Sequence, residues 1–388
     1  MKLIVPTNWQ EDLLGSIRLD SVAELYGKAN SDTIGGGRGS CVIPDPSRLI
    51  IENQIKQIVS RKIGFNYLLN ATCLGDRAAT STGVKEIEGL LGWLVSCGVT
   101  SVTVSSPSLL KFIKRAYPSL RVCVSTQVGV RNWQSAAQWE AWGADAITLS
   151  FVDVNRDFKS LRRIRAAVRC DLQVIANLDC LYGCPYFRYH AHVTSHASQS
   201  GHPSRGFVID YCFLKCNTVR FRDPVEFLRS GWIRPEDIHY YESAGINALK
   251  LVNRTMPTHK LRLVVDAYTR GTYEGNLLDL FSDPSRSVGY KKFRNFKFYL
   301  RPDAVNILKL WRFRGLFAPR KIFIDNTVLD GFLDYFQDSD CSSRDCRKCG
   351  YCASWADKVI RFDPVYRDMM LRALEKNLNS LVTGEIFS

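Results

Sequence analysis

Short β-rich runs alternate with longer amphipathic stretches over the first 280 residues, and this alternation constrains the fold more than any other feature. The pattern predicts strands at 3–7, 22–26, 66–71, 101–105, 121–125, 146–149, 172–176 and 248–252. Between them it predicts helices at 48–60, 84–96, 108–116, 133–142, 158–168 and 235–244. Gly98, Gly143 and Gly245 stand at helix-to-strand joints, where a C-cap needs a left-handed residue. Parallel neighbours cannot be joined by a tight turn, so the alternation calls for a parallel sheet with helical crossovers. Eight strands in about 250 residues is the size of a (β/α)8 barrel. An open doubly wound sheet is the alternative, but no G-x-G-x-x-G follows the first strand. The expected fold is α/β: a TIM-like barrel over 1–280, with a mostly helical, cysteine-rich C-terminal extension over 281–388.

The connection after the seventh strand, about 178–230, is far longer than an ordinary βα loop. In a barrel it would lie over the C-terminal face, where active sites are built. It carries four of the six histidines and a cysteine quartet, Cys180, Cys184, Cys212 and Cys216, in two C-x3-C pairs. A second quartet, Cys341, Cys346, Cys349 and Cys352, follows a C-x4-C-x2-C-x2-C pattern in the extension. Thiolates so spaced can converge on one metal centre, which makes all eight candidate ligands. The wider C-x3-C pairs favour a 4Fe-4S cluster over a zinc knuckle at the first quartet. Neither pair has a third cysteine two residues on, so the C-x3-C-x2-C triad of radical-SAM chemistry is absent. The second quartet fits either an iron–sulfur cluster or a structural zinc ion. The other five cysteines are read mostly as small core residues.

A net charge of +14, from 52 Lys+Arg against 38 Asp+Glu, favours a polyanionic partner such as RNA or an acidic protein face. The N-terminus reads as a strand rather than a signal peptide, and no apolar run is long enough to span a bilayer. A cytoplasmic protein is therefore expected, in which disulfides are the poorer reading of the cysteines. Beyond 252 the pattern predicts a helix at 258–270, a basic stretch at 282–297, and helices at 302–312, 326–337 and 364–378.

Polar residues at strand C-termini would ring the mouth and bind substrate: Asn8, Tyr26, Asn70, Gln127 and Asn177. Arg38 follows the run Gly35-Gly36-Gly37, whose backbone N–H groups could cradle an anion. The candidate catalytic groups are His190, beside the first quartet, and Lys250 and Arg254 at the eighth strand. No H-E-x-x-H is present, and no nucleophile is paired with a base, so a protease lacks its usual signatures.

Several motifs occur in an order that resembles peptidase family U32. They are Asn177-Leu178-Asp179-Cys180-Leu181-Tyr182-Gly183-Cys184-Pro185, Arg188-Tyr189-His190, and Asp210-Tyr211-Cys212 with Cys216. Trp232-Ile233-Arg234-Pro235-Glu236-Asp237-Ile238, Tyr241-Glu242, Gly245-Ile246, Pro257-Thr258 and Tyr273-Glu274-Gly275-Asn276-Leu277 continue it. The resemblance implies a TIM-like barrel with a 4Fe-4S cluster on four cysteines. It also implies an oxygen-independent hydroxylase, with prephenate as the oxygen source, an electron donor, and in some relatives a paired subunit of the same family. Substrates in the family include small molecules and RNA bases, and a peptide is a further expectation. A U32-type peptidase and a non-catalytic, metal-bound RNA-binding or partner subunit are the alternatives.

Overall fold

The computed structural model describes residues 1–281, 307–310, 316 and 321–387. Eight parallel strands close into a barrel in sequence order: β1 (Lys2–Pro6), β2 (Val22–Gly27), β3 (Gly64–Leu69), β4 (Ser101–Val104), β5 (Arg121–Val124), β6 (Ala146–Thr148), β7 (Asp171–Ile175) and β8 (Ala248–Lys250). β8 pairs back onto β1, with Ala248 opposite Lys2 and Lys250 opposite Ile4. All eight strands fall where the alternation placed them, and the TIM-like fold stands.

The crossover helices are α1 (Leu13–Ser16), α2 (Arg48–Ser60), α3 (Ser81–Ser96), α4 (Pro107–Ala116), α5 (Trp133–Ala141) and α6 (Phe158–Ala167). Their starts are set chemically. Ser47, Thr80, Ser106, Asn132 and Asp157 each accept a backbone N–H of the first turn. Gly98, Gly143 and Gly245 adopt the positive φ expected just past helix ends. Strand residues facing these helices, such as Val5, Leu25, Phe65, Val102, Ile147 and Val174, are buried in one continuous apolar core.

The long connection after β7 is not a loop. It forms α7 (Phe187–His196), α8 (Tyr211–Arg222) and α9 (Val225–Arg229) before α10 (Ile238–Ser243) leads into β8. Asp210 caps α8 through Phe213 N at 3.0 Å. After β8 come α11 (Thr258–Arg270), as expected, and then the extension: α12 (Ile307–Leu310), β9 (Ile322–Ile324), α13 (Asp334–Asp338), α14 (Cys346–Cys349), α15 (Tyr351–Val359), β10 (Ile360–Phe362) and α16 (Pro364–Val382). The helix predicted at 326–337 is broken. Gly331 takes a left-handed φ of 79° between a 3-10 turn at Thr327–Leu329 and α13. Most of 302–312 and the whole basic stretch 282–297 lie outside the described residues. The extension is helical but also contains the antiparallel pair β9–β10.

The extension shares the barrel's core. α16 lies along α8, α15 along α9, and Phe332, Phe336 and Tyr366 join the main cluster. Arg234, 2% exposed, pins the two parts. It makes a paired contact to Asp237 at 2.9 Å, and also donates to Asn326 O at 2.9 Å and Asp330 Oδ1 at 3.0 Å.

Candidate metal centre

The inside of the barrel is polar, and that directs attention to its open end. Asn66 donates to Glu24 at 3.1 Å, Thr103 to Asn66 at 2.7 Å, and Thr148 to Gln173 at 3.0 Å, so each buried group is answered. Burial pushes the Glu24 carboxyl up despite its hydrogen bonds to Ser101 and Asn66. Above this layer a small cluster of Ile4, Tyr26, Leu68 and Ala248 reaches Val252. Val252 also packs in the next cluster, with Phe151, Val152, Ile175, Leu178, Phe187 and the thiols of Cys180 and Cys184. The mouth and the first quartet are therefore contiguous.

Two elements build the quartet. Cys180 and Cys184 sit in the turn after β7, held by Gly183 N donating to Val152 O at 2.7 Å. Cys212 and Cys216 lie one turn apart on α8. Arg220, a further turn along and 3% exposed, donates to Cys216 Sγ at 3.5 Å, to Asn217 at 3.1 Å, and to the Asp179 carbonyl. Its Nε has no partner among the described residues, and its charge acts on Cys180, Cys184 and Cys216. Burial, reinforced by Asp210 and by Cys216 and Cys184, pushes the Cys212 thiol up to about 12, and burial raises the other three as well. A metal would have to displace those protons, so loading releases acid.

Among the described residues no three His, Cys, Asp or Glu side chains stand close enough to grip a single metal ion. A zinc ion needs four sulfurs at about 2.3 Å from one point. A 4Fe-4S cluster has one iron for each thiolate, so its ligands stand farther apart. Four thiols from two elements, with a buried guanidinium among them, fit the second kind of group better than the first.

On the other side of the mouth the charges are cationic. Lys250 lies 4.5 Å from the Tyr26 ring centroid, and Tyr26 Oη donates to Leu251 O at 2.9 Å. Burial pulls the Lys250 ammonium down, against the charges of Cys123 and Glu24. Arg254 is 5% exposed and makes no hydrogen bond or ion pair among the described residues. Burial, with Arg38 beside it, pulls its guanidinium down to about 10 against the opposing effect of Tyr26. Among the described residues Arg38 donates to the adjacent Gly37 carbonyl, at 3.0 Å. Lys28, also buried, is paired with Asp32, which accepts from Tyr67 Oη at 2.9 Å. Three cations, Lys250, Arg254 and Arg38, thus converge without a direct ion pair among the described residues, with Glu24 and Asp32 acting on Lys250 and Arg254 from farther off.

The remaining candidate residues divide into two groups. Asn8 donates to Gln10, Met256 O and Thr258, and Asn177 ties β7 to Val252 and Leu280, so both amides are committed to the framework. Asn70 Oδ1 and Gln127 Oε1 are buried without a partner among the described residues. They stand beside the glycine run: a Cβ on Gly36 would meet Asn70 Oδ1 at 3.0 Å, and one on Gly37 would meet the Gln127 amide. Within that run the Gly35 and Gly36 amides are engaged inside the protein. Asp32 accepts from Gly35 N at 2.7 Å, and Ser198 Oγ accepts from Gly36 N at 2.7 Å. His190 Nε2 lies 2.8 Å from Asp210 Oδ2, joining α7 to the cap of the cysteine-bearing α8. Burial works against the Asp210 charge, yet the His190 hydrogen bond holds its carboxyl below the usual range.

Sequence reasoning missed Arg220, Lys28 and Asp210. Arg220 had a readable signal, because it stands four residues after Cys216 on a helix. Asp210 stood in the Asp210-Tyr211-Cys212 motif but was given no role, and Lys28 had no signal beyond its charge.

A closed parallel barrel with a thiol quartet over its C-terminal mouth defines a (β/α)8 protein with a candidate metal centre. Residues 66–177 match the model of peptidase family U32. It is similar to the uncharacterized protease MJ1657 of Methanocaldococcus jannaschii, 28% identical over 325 residues, 84% of this chain and 86% of that one. It is also similar to the tRNA hydroxylation protein P1 of Bacillus subtilis, 23% identical over 203 residues, 48% of this chain and 46% of that one. The solved U32 peptidase Mk0906 superposes with a TM-score of 0.50 at 20% identity, covering 65% of this chain and 93% of that structure. Among the described residues no helix is long and apolar enough to cross a membrane.

Proposed function

We propose that this protein is a U32-family, iron–sulfur, oxygen-independent hydroxylase or a closely related redox enzyme. Cys180, Cys184, Cys212 and Cys216 would hold a 4Fe-4S cluster, which when bound supplies an electron-transferring, Lewis-acidic iron centre beside the mouth. The observation that carries this reading is Arg220, a buried cation donating to Cys216 with its charge on three of the four thiols. Asp179, 3.6 Å away, supplies one counter-charge, and thiolates on a cluster would draw on the same cation through its donor to Cys216.

The chain's own residues then bind and orient an anionic small molecule. Arg254 and Arg38 offer guanidinium groups suited to carboxylates, and Lys250 adds a point charge from β8. Asn70 Oδ1 and Gln127 Oε1 are the free acceptors at this end. Prephenate, a dicarboxylate, has the charge such a mouth takes. His190, oriented through Nε2 by Asp210, keeps Nδ1 as the ring nitrogen able to hold or pass a proton. The substrate to be hydroxylated is a small molecule or peptide in this reading. An RNA base, by analogy with the Bacillus subtilis relative, requires binding that weakens steeply with salt. An electron donor, with a second family subunit beside this chain, completes the expected assembly, and the cytoplasm is its expected place.

The peptidase reading, to which two relatives' names point, finds less support. Among the described residues His192 Nδ1 meets Thr72 Oγ1 at 2.9 Å, but no carboxylate lies behind that imidazole. His190 has its carboxylate but no hydroxyl. Neither assembles hydroxyl, imidazole and carboxylate in line.

Anaerobic purification with iron and sulfide analysis tests the proposal. A broad visible absorption that disappears in Cys180→Ala and Cys212→Ala is the expected result. A folded, iron-free, colourless protein that stays so after anaerobic reconstitution would overturn it.

A further inference from the structure

The second quartet stands outside the site just described. Cys341 and Cys352 pack against the core, while Cys346 and Cys349 are exposed. Cys346 and Cys349 open and close the single turn of α14, and Gly350, at φ 66°, swings the chain into α15, which carries Cys352. Cys349 Sγ lies 3.2 Å from Tyr335 Oη. Tyr335 stacks on Tyr351, the neighbour of Cys352, with ring centroids 4.1 Å apart, and Tyr351 stacks in turn on Phe332 at 5.7 Å.

Arg156 comes to the same place from a different part of the chain. It belongs to the loop between β6 and α6, yet it is only 4% exposed. Its guanidinium carbon lies 4.4 Å from the Trp232 ring, 4.9 Å from Phe332 and 5.3 Å from Phe336. Nη1 donates to the Leu228 carbonyl, but Nε and Nη2 have no partner among the described residues. Its charge bears on Cys352 and Cys341, and the one nearby carboxylate acting on it, Asp237, is already held by Arg234. Arg229 adds a second cation. It pairs with Asp223 and Glu226, its Nε is unpartnered, and its charge bears on Cys352 and Cys346.

The aromatic rings ease the burial of this guanidinium but offer no acceptor to the N–H groups of its two open nitrogens, which an anion with acceptor atoms would complete. Four neutral thiols carry no charge to offer. An iron–sulfur cluster on four thiolates is anionic and presents sulfur acceptors.

We propose that Cys341, Cys346, Cys349 and Cys352 hold a second thiolate–metal centre, and that Arg156, reaching out of the barrel, is the counter-cation that ties this centre to the fold. The centre is an iron–sulfur cluster, because among the described residues no three His, Cys, Asp or Glu side chains stand close enough to grip a single ion. Tyr182, from the turn between Cys180 and Cys184, feels the charges of Cys341 and Cys346, so the two quartets are neighbours. The proposal does not depend on the first quartet's being loaded.

The test is metal analysis of the anaerobically purified full chain beside three kinds of variant. Cys346→Ala/Cys349→Ala, at exposed positions, is expected to lose about four irons and to keep the metal of the first quartet. Cys180→Ala is expected to show the converse, so failure of one centre is read separately from failure of the other. Arg156→Gln is expected to keep its far-UV spectrum and to release second-centre metal to a chelator at least tenfold faster. Where Arg156→Gln does not fold, Arg156→Lys, which lacks the Nε and Nη2 donors, reads the same release rate. Wild-type metal that the double cysteine variant leaves unchanged would overturn the second centre. Release from the arginine variants at the wild-type rate would overturn the counter-cation.

Discussion

Arg254→Met should make the ligand-free protein more stable while removing its response to anions. The guanidinium is buried, has no hydrogen bond or ion pair among the described residues, and is pulled from 12.5 down to about 10 by burial and Arg38. Such a fall corresponds to about 3 kcal/mol against the charged form, at about 1.4 kcal/mol per pH unit. The unfolded chain binds the proton more tightly than the fold does. The cost is therefore fully present below about 10 and fades only as pH rises toward 12.5. At neutral pH the substitution removes that cost and keeps most of the aliphatic packing, so a gain of about 1–3 kcal/mol is expected. The assay is guanidinium chloride unfolding followed by circular dichroism, with and without malonate or prephenate. An anion at about 100 times its Kd stabilises the wild type by about 2.7 kcal/mol and leaves the variant where it was. A variant destabilised by more than about 1 kcal/mol, with the anion response intact, would show that Arg254 is a structural group rather than part of a binding site.

Other perturbations read other parts of the molecule. Arg220→Gln removes the donor to Cys216 and should accelerate loss of visible absorption in anaerobic chelator, whereas unchanged decay would remove Arg220 from the account. Arg234→Met strands Asp237 and frees Asp330, so a loss of about 3–5 kcal/mol is expected in denaturant titrations, with proteolysis appearing first between barrel and extension. Asp210→Ala deletes the α8 cap and the His190 pairing, and a cost of about 1–2 kcal/mol in the same titration would match the structure. Gly231→Ala would drive a methyl into the Phe151 carbonyl, a backbone atom that cannot swing aside, costing about 1–3 kcal/mol; a neutral result would contradict the packing beside the quartet.

Much of the architecture was legible before any coordinates. Alternation of apolar runs at period two with amphipathic runs at period 3.6 is a local property, and it located every barrel strand. The capping glycines were equally local, since only their φ is at stake. The eight clustered cysteines were visible because ligand spacing is written along the chain.

Less of the site itself could be read. The insertion's helices were hidden by a composition rich in histidine, serine and glycine, and their stability comes from packing on α16 and on the glycine run after β2. That same packing engages the Gly35 and Gly36 amides, which in isolation look ready for an anion. Asn8 and Asn177 looked like binding groups because they end strands, but only the fold shows their amides committed to distant backbone carbonyls. Spacing along the sequence decided which residues could be ligands. Closure of the barrel decided which charges meet. It buries Arg254 beside Arg38, Arg220 among the first thiols and Arg156 beside the second, because burial and cation pairing depend on contacts between segments tens to hundreds of residues apart.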